Sequence, residues 1–259
     1  MLLSGRVCVV AGVGSGLGRE VAVALAAEGA TVVMGARTGD YLDQVAAEIA
    51  GSGGTARAVV TNVVHAGQCD RLVSAAADEF GRVDALVNCA YRPDVFQSFE
   101  DVDLETWRKI MDVNLFGALH LAKAAIGPMK QQGEGSIVFV SSMVTRRPPP
   151  LQGGYATSKG ALNTAAWALA AELGGYGIRV NTILPGWMWG PNVELFVTMT
   201  ARQRGVAEQE VVDEITANMP LGRIPTDGDV AGAAVFLASD LSRGMTGQTV
   251  DVNGGEFFA

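Results

Sequence analysis

The sequence predicts an α/β fold: a doubly wound parallel sheet of about seven strands with helices on both faces. Three observations predict it. Short runs that are apolar throughout alternate with longer helical stretches along all 259 residues, the pattern of strands buried on both faces. Apolar residues reach 49% but aromatic ones only 7%, so small aliphatic side chains dominate, as helices packed closely on a sheet require. A glycine cluster lies between the first strand-like run and the first helical one, as in nucleotide-binding versions of this architecture.

The elements follow in order. A strand over 6–11 (RVCVVA) leads into a helical run through Ala27, then a strand over 30–35 and a helix over 40–49. Next come a strand over 56–60, a helix over 68–80 and a strand over 84–88 (DALVN). Helical pattern covers 104–131, followed by a strand over 136–141 (SIVFVS) and a helix over 155–173. The last strands are 178–184 and 248–252, with a helix over 229–238 between them. No repeat or low-complexity linker interrupts this alternation, so 1–259 is expected to form one domain. The least regular stretch, 192–218, follows the sixth strand and carries a polar helical pattern (ARQRGVAEQEVVDEI). Ligands in open parallel sheets bind beyond the carboxyl ends of strands, which makes this insertion a candidate substrate lid; the plainer alternative is a decorative surface helix pair.

Composition narrows the function. A formal charge of −8 argues against nucleic acid as a partner. The three cysteines, Cys8, Cys69 and Cys89, form no CxxC pair, which points to small hydrophobes in a reducing compartment rather than to disulfides or metal. His65 and His120 share no ligand spacing, so no metal site is expected. The N-terminus lacks the features of a secretory leader, and no run of about 18 uncharged apolar residues suggests a membrane span. A cytoplasmic protein is expected.

The glycine cluster, Gly12-Val13-Gly14-Ser15-Gly16-Leu17-Gly18, has the spacing GxxxGxG through Gly12, Gly16 and Gly18. Glycine there permits a tight turn and lets the N–H groups of the loop approach a pyrophosphate at a helix N-terminus. The end of the second strand then selects the dinucleotide: a carboxylate would hold a ribose, an arginine a 2′-phosphate. The sequence has Ala36-Arg37 and no acid until Asp40, so NADP(H) is expected over NAD(H).

The chemistry centres on Ser142, Tyr155 and Lys159. A tyrosine and a lysine at i, i+4 share one helix face. A phenol titrates near pH 10, too high for acid/base work near neutrality; an ammonium and an oxidised nicotinamide nearby both favour the phenolate and are expected to lower that value. Ser142, at the end of an apolar strand, can hold and polarise a substrate oxygen.

Together these motifs resemble the short-chain dehydrogenase/reductase family, in its compact single-domain branch, over essentially the whole chain. The resemblance implies a Rossmann-like NAD(P)-dependent oxidoreductase that interconverts a secondary alcohol and a ketone, with Tyr155 as general acid/base, Ser142 on the substrate oxygen and Lys159 on Tyr155 and a ribose hydroxyl. It assigns the loop residues Gly12, Ser15, Gly16, Leu17 and Gly18 to the cofactor, with Asn62-Val63 beside the adenine, Asn88 and Ala90 at the next strand end, and Pro185-Gly186 beside the nicotinamide. Asn114 matches an asparagine of the proton relay, and Asn253-Gly254-Gly255 resembles the C-terminal signature. Paired helices in this family form oligomer contacts, so a homodimer or homotetramer is expected.

Three departures stand out. Asn62 replaces the usual aspartate, Tyr91 replaces a glycine, and Trp187-Met188-Trp189-Gly190 lacks the threonine often found after Pro-Gly. Tyr91, Met143, Trp187 and Trp189 are the candidate substrate contacts and suggest an apolar or cyclic alcohol or ketone. Within the enzyme class the rival substrate is a carrier-bound 3-oxoacyl thioester, hinted at only by Lys123, Lys130, Arg146 and Arg147. From another class, a non-catalytic NADP-binding regulator would typically have lost Tyr155 or Lys159; both are present.

Overall fold

The computed structural model describes residues 1–258. Seven strands form one parallel sheet: β1 (Val7–Ala11), β2 (Thr31–Ala36), β3 (Thr55–Val60), β4 (Ala85–Asn88), β5 (Gly135–Val140), β6 (Ile178–Pro185) and β7 (Thr249–Val252). Their spatial order is β3-β2-β1-β4-β5-β6-β7. The winding reverses between β1 and β4, which opens a crevice at their carboxyl ends.

Alternation along β1 shows why its sequence is apolar at every position. Cys8 and Val10 join a core with α1 (Leu17–Ala27), α2 (Gly39–Gly51) and α9 (Asp227–Ala238). Val7, Val9 and Ala11 join a second core with α3 (Ala66–Phe80), α5 (Ala118–Gln132) and α6 (Gly153–Leu173). Successive side chains point to opposite faces, so a strand covered twice has no solvent face. Large buried residues such as Leu25 and Leu121 are fully enclosed; truncating one to alanine costs about 2–5 kcal/mol.

The remaining helices are α4 (Leu104–Met111), α7 (Pro191–Arg204) and α8 (Glu208–Thr216). The helical pattern over 104–131 is one continuous stretch, interrupted by a widened turn at Asp112–Gly117 in which backbone bonds span five residues. By length and hydropathy, Leu104–Gln132 would suffice to cross a membrane, a result the sequence scan did not anticipate because charged residues break the run. Here Leu121, Ala122, Ala125 and Met129 are buried against the sheet. Helix α9 begins at Asp227, earlier than expected, because Thr226 caps it and exchanges hydrogen bonds with Asp229. Helices α7 and α8 carry a small cluster of their own, Val197, Ala201 and Val211, directly after β6.

Candidate active site

The β1–α1 loop runs along the crevice. Gly12 has φ +86°, and a Cβ there would collide with the backbone of Ala90 at the end of β4. A Cβ on Gly18 would strike the Gly12 carbonyl. Two glycines thus let loop, strand end and helix close on one another. Gly12 and Val13 donate to the Gly35 carbonyl at 2.8 and 3.2 Å, whereas the N–H groups of Gly14, Ser15, Gly16, Leu17 and Gly18 meet no acceptor among the described residues. Unclaimed donors converging at a helix N-terminus suit an anion, so these residues fit a dinucleotide pyrophosphate. Asn88 Oδ1 accepts from Ala90 N at 3.2 Å and fixes the strand end. Arg37 is exposed beyond β2. Asn62 Oδ1 accepts from Val64 N at 3.3 Å, so its oxygen serves the turn into α3. Val63 packs on Gly117, and its carbonyl lies 3.1 Å from His120 Nδ1.

Ser142, Tyr155 and Lys159 meet at the carboxyl end of β5. Lys159 is 2% exposed, and its Nζ donates to the Val140 carbonyl at 2.8 Å. That Nζ lies 5.6 Å from the Tyr155 ring centre. Burial pushes the Tyr155 phenol above its ordinary pKa, and the Ser142 hydroxyl opposes this in part. Burial also pushes the Lys159 ammonium down to about 8. The lowering expected from the sequence counted two positive charges, the ammonium and an oxidised nicotinamide; among the protein's own groups, burial sets the direction. Desolvation disfavours the phenolate, and the Lys159 ammonium donates to a backbone carbonyl. Ser142 Oγ accepts from Val144 N at 3.3 Å and starts the short turn Met143–Thr145.

Helix α6 is held at both ends of the Tyr155 peptide. Asp94, in the loop after β4, accepts from Tyr155 N at 2.7 Å and from Val95 N at 2.8 Å. Ser158 Oγ donates to the Tyr155 carbonyl at 2.7 Å. Asn114, fully buried in the widened turn, has a fully engaged side chain. Its Oδ1 accepts from Arg92 N at 2.6 Å, and its Nδ2 donates to the Arg92 carbonyl at 3.0 Å and to Ser158 Oγ at 2.9 Å. In this geometry the side chain clamps loop to helix. Gly153 and Gly154 let the first turn of α6 lie against Trp107, where Cβ atoms would approach its ring to 2.6 and 2.9 Å.

Across the cleft, the Tyr91 ring meets Tyr155 edge-on at 6.4 Å, and its hydroxyl accepts from Asn192 Nδ2 of α7 at 3.0 Å. Trp187 packs on Phe196 of α7 at 5.3 Å. Trp189 N donates to the Pro225 carbonyl at 2.7 Å, which ties it to the α9 side. A Cβ on Gly186 would meet Asn253 at 2.8 Å and the Met143 sulfur at 3.1 Å, so the turn after β6, the C-terminal signature and Met143 form one wall. Arg146 is not a free cation: it bonds Thr249 and Asp251 of β7 at 3.0 and 3.2 Å.

A family model described as Enoyl-(Acyl carrier protein) reductase matches residues 12–256. The chain belongs to the short-chain dehydrogenase/reductase family. It is an oxidoreductase acting on CH–OH groups, and the family uses NAD(P). It is 40% identical to an uncharacterised oxidoreductase of Methylorubrum extorquens over 98% of both chains. It is 37% identical to an L-rhamnose 1-dehydrogenase (NAD(P)(+)) of Azotobacter vinelandii, over 99% of this chain and 98% of that one. A solved structure of an actinorhodin polyketide ketoreductase variant with NADPH superposes with a TM-score of 0.89 at 30% identity, covering 97% of each chain.

Sequence reasoning missed three residues of this oxidoreductase's site. Asp94 and Ser158 act on the Tyr155 backbone, and Asp227 projects toward Gly16 and Gly190. A polar residue in a loop gives no periodic signal; only its partner across 61 positions gives Asp94 meaning. Ser158 lies between Tyr155 and Lys159, where i, i+3 spacing from Tyr155 offered a usable clue.

Proposed function

We propose that the protein is an NADP(H)-dependent dehydrogenase/reductase of an apolar or cyclic secondary alcohol and its ketone, with Tyr155 as the general acid/base. The observation that carries this reading is the convergence of Ser142, Tyr155 and Lys159 on the same carboxyl edge of the sheet as the free N–H groups of Gly14–Gly18. When bound, the nicotinamide supplies the hydride acceptor or donor and, oxidised, a positive charge that favours the Tyr155 phenolate. In the oxidative direction Tyr155 Oη takes the proton of the substrate hydroxyl, and in reduction it returns one. Ser142 Oγ holds the same substrate oxygen, and Lys159 Nζ would hold a ribose hydroxyl of the bound dinucleotide and steady the phenolate. Asn114 keeps the loop after β4 and α6 in register and supports the proton path. Gly12, Ser15, Gly16, Leu17, Gly18, Asn88, Ala90, Pro185 and Gly186 line the dinucleotide.

Arg37 supports NADP(H): its guanidinium is exposed just after β2 and makes no ion pair within 4 Å among the described residues, so it is available to a 2′-phosphate. Tyr91, Met143, Trp187 and Trp189 form the substrate walls, and 192–218 serves as the lid, an assignment supported by the Tyr91–Asn192 and Trp187–Phe196 contacts. The tie between Arg146 and Asp251 weighs against a docking patch for an acidic carrier, although carrier-bound substrates occur in the family model's description. Half-exposed Phe116 and Trp167 support a homodimer or homotetramer. The three free, buried cysteines suit a reducing cytoplasm. Tyr155→Phe is the test: it should bind NADPH as the parent does and lose at least about a thousandfold in kcat. Near-normal turnover in that variant refutes the assignment.

A further inference from the structure

Asp227 is the first residue of α9, and its carboxylate points away from the helix into the cofactor crevice. Oδ2 lies 3.3 Å from where a Cβ on Gly16 would stand and 2.5 Å from where one on Gly190 would stand. Gly190, the residue before α7, has φ −171° and ψ −178°, an extended conformation open to any residue. Its backbone therefore does not demand glycine; the space its side chain would need is filled by the Asp227 carboxylate. The absent side chain after Pro185-Gly186 and the acid on α9 are one feature.

That acid has no hydrogen-bond or ion-pair partner among the described residues. Burial, Glu20 on α1 and Glu194 on α7 all hold its pKa up, and no hydrogen bond offsets them. Cys89 and Tyr91 at the end of β4 lie within its field. The nearest guanidinium on α1, Arg19, is engaged by Glu20 and Glu48. A carboxylate without an ion-pair partner among the described residues thus stands in the first turn of α9 and against Gly16, at the positive end of α1, where the free N–H groups invite an anion.

We propose that Asp227 sets the affinity of the dinucleotide site by opposing the pyrophosphate. The inference rests on the dinucleotide reading above. The carboxylate and the pyrophosphate share the field of the α1 N-terminus, so each weakens the other's hold on it. Dinucleotide binding must neutralise or displace Asp227, which lowers affinity and speeds release.

The test titrates the parent, Asp227→Asn and Asp227→Ala with NADPH and with NADH, read by nicotinamide fluorescence at low and at high salt. Both variants should bind both dinucleotides about three- to tenfold more tightly, and the gain should shrink at high salt. Gly190→Ala alone should lower Tm, and the loss should be relieved when Asp227→Ala is added. Thr226 still caps α9 in each variant. An unchanged or raised Kd in Asp227→Asn overturns the proposal, as does a change confined to Tm, which would make Asp227 only a helix-end acid. If the parent binds neither dinucleotide, the cofactor reading itself fails and this inference with it.

Discussion

Replacing Asp94 by alanine tests how the catalytic helix is held. The Asp94 carboxylate is 8% exposed and accepts from Tyr155 N and Val95 N. Hydrogen bonds to a charged acceptor contribute about 1.5–3 kcal/mol each. The bond to Val95, an exposed residue, is partly replaced by water on truncation. The bond to Tyr155 N also places a negative charge at the first turn of α6, favourable by about 0.3–1 kcal/mol. Together these predict a loss of about 2–4 kcal/mol, or on the order of 5–10 °C in Tm. The functional effect is the sharper one. A first turn freed from Asp94 lets Tyr155 drift from Ser142, and displacements of about 1 Å cost up to about a hundredfold in rate. Alcohol oxidation by Asp94→Ala should show a kcat lowered about ten- to a hundredfold with the dinucleotide Kd unchanged, since the cradle at Gly14–Gly18 is untouched. Asp94→Asn keeps the volume and one acceptor and should fall between. If Asp94→Ala melts within about 1 °C of the parent and turns over at the same rate, the reasoning is wrong.

Two further predictions concern charge. Lys159 has its pKa lowered to about 8 by burial, so the folded protein binds this proton more weakly than the unfolded chain does. The unfolded chain therefore carries the extra proton between about pH 8 and pH 10.5, and stability from this group rises across that window. Below pH 8 the penalty is fully present. Denaturant midpoints of the parent minus those of Lys159→Met, followed from pH 7 to 10, should rise with pH; a flat difference contradicts the assigned burial. For Arg37→Ala, loss of a phosphate-binding guanidinium should raise the KM for NADPH about ten- to a hundredfold and leave that for NADH unchanged; equal effects on both would place Arg37 outside the phosphate site.

Much of the site was legible because its residues are tied to local pattern. Gly12, Gly16 and Gly18 are spaced along one loop, Tyr155 and Lys159 along one helix turn, and Ser142 at a strand end, and local geometry carries each. What was illegible depends on partners far along the chain. Asp94 meets Tyr155 across 61 positions, and Asn114 meets Ser158 across 44. The expected lowering of the Tyr155 pKa counted an ammonium and an oxidised nicotinamide; that the ammonium, 5.6 Å from the Tyr155 ring centre, also donates to the Val140 carbonyl, only packing decides.

The sequence by itself determined the layered sheet, the glycine loop after β1 and the Tyr155–Lys159 pair on one helix face, because strand and helix periodicities and i, i+4 spacing are properties of short segments. The tertiary structure decided which way charges point. Whether Lys159 faces Tyr155, whether Arg146 is free, and whether Asp227 opposes an anion at Gly16 depend on which elements lie side by side and how much water is left between them. Coulomb interactions and desolvation act through space, so no reading along the chain contains them.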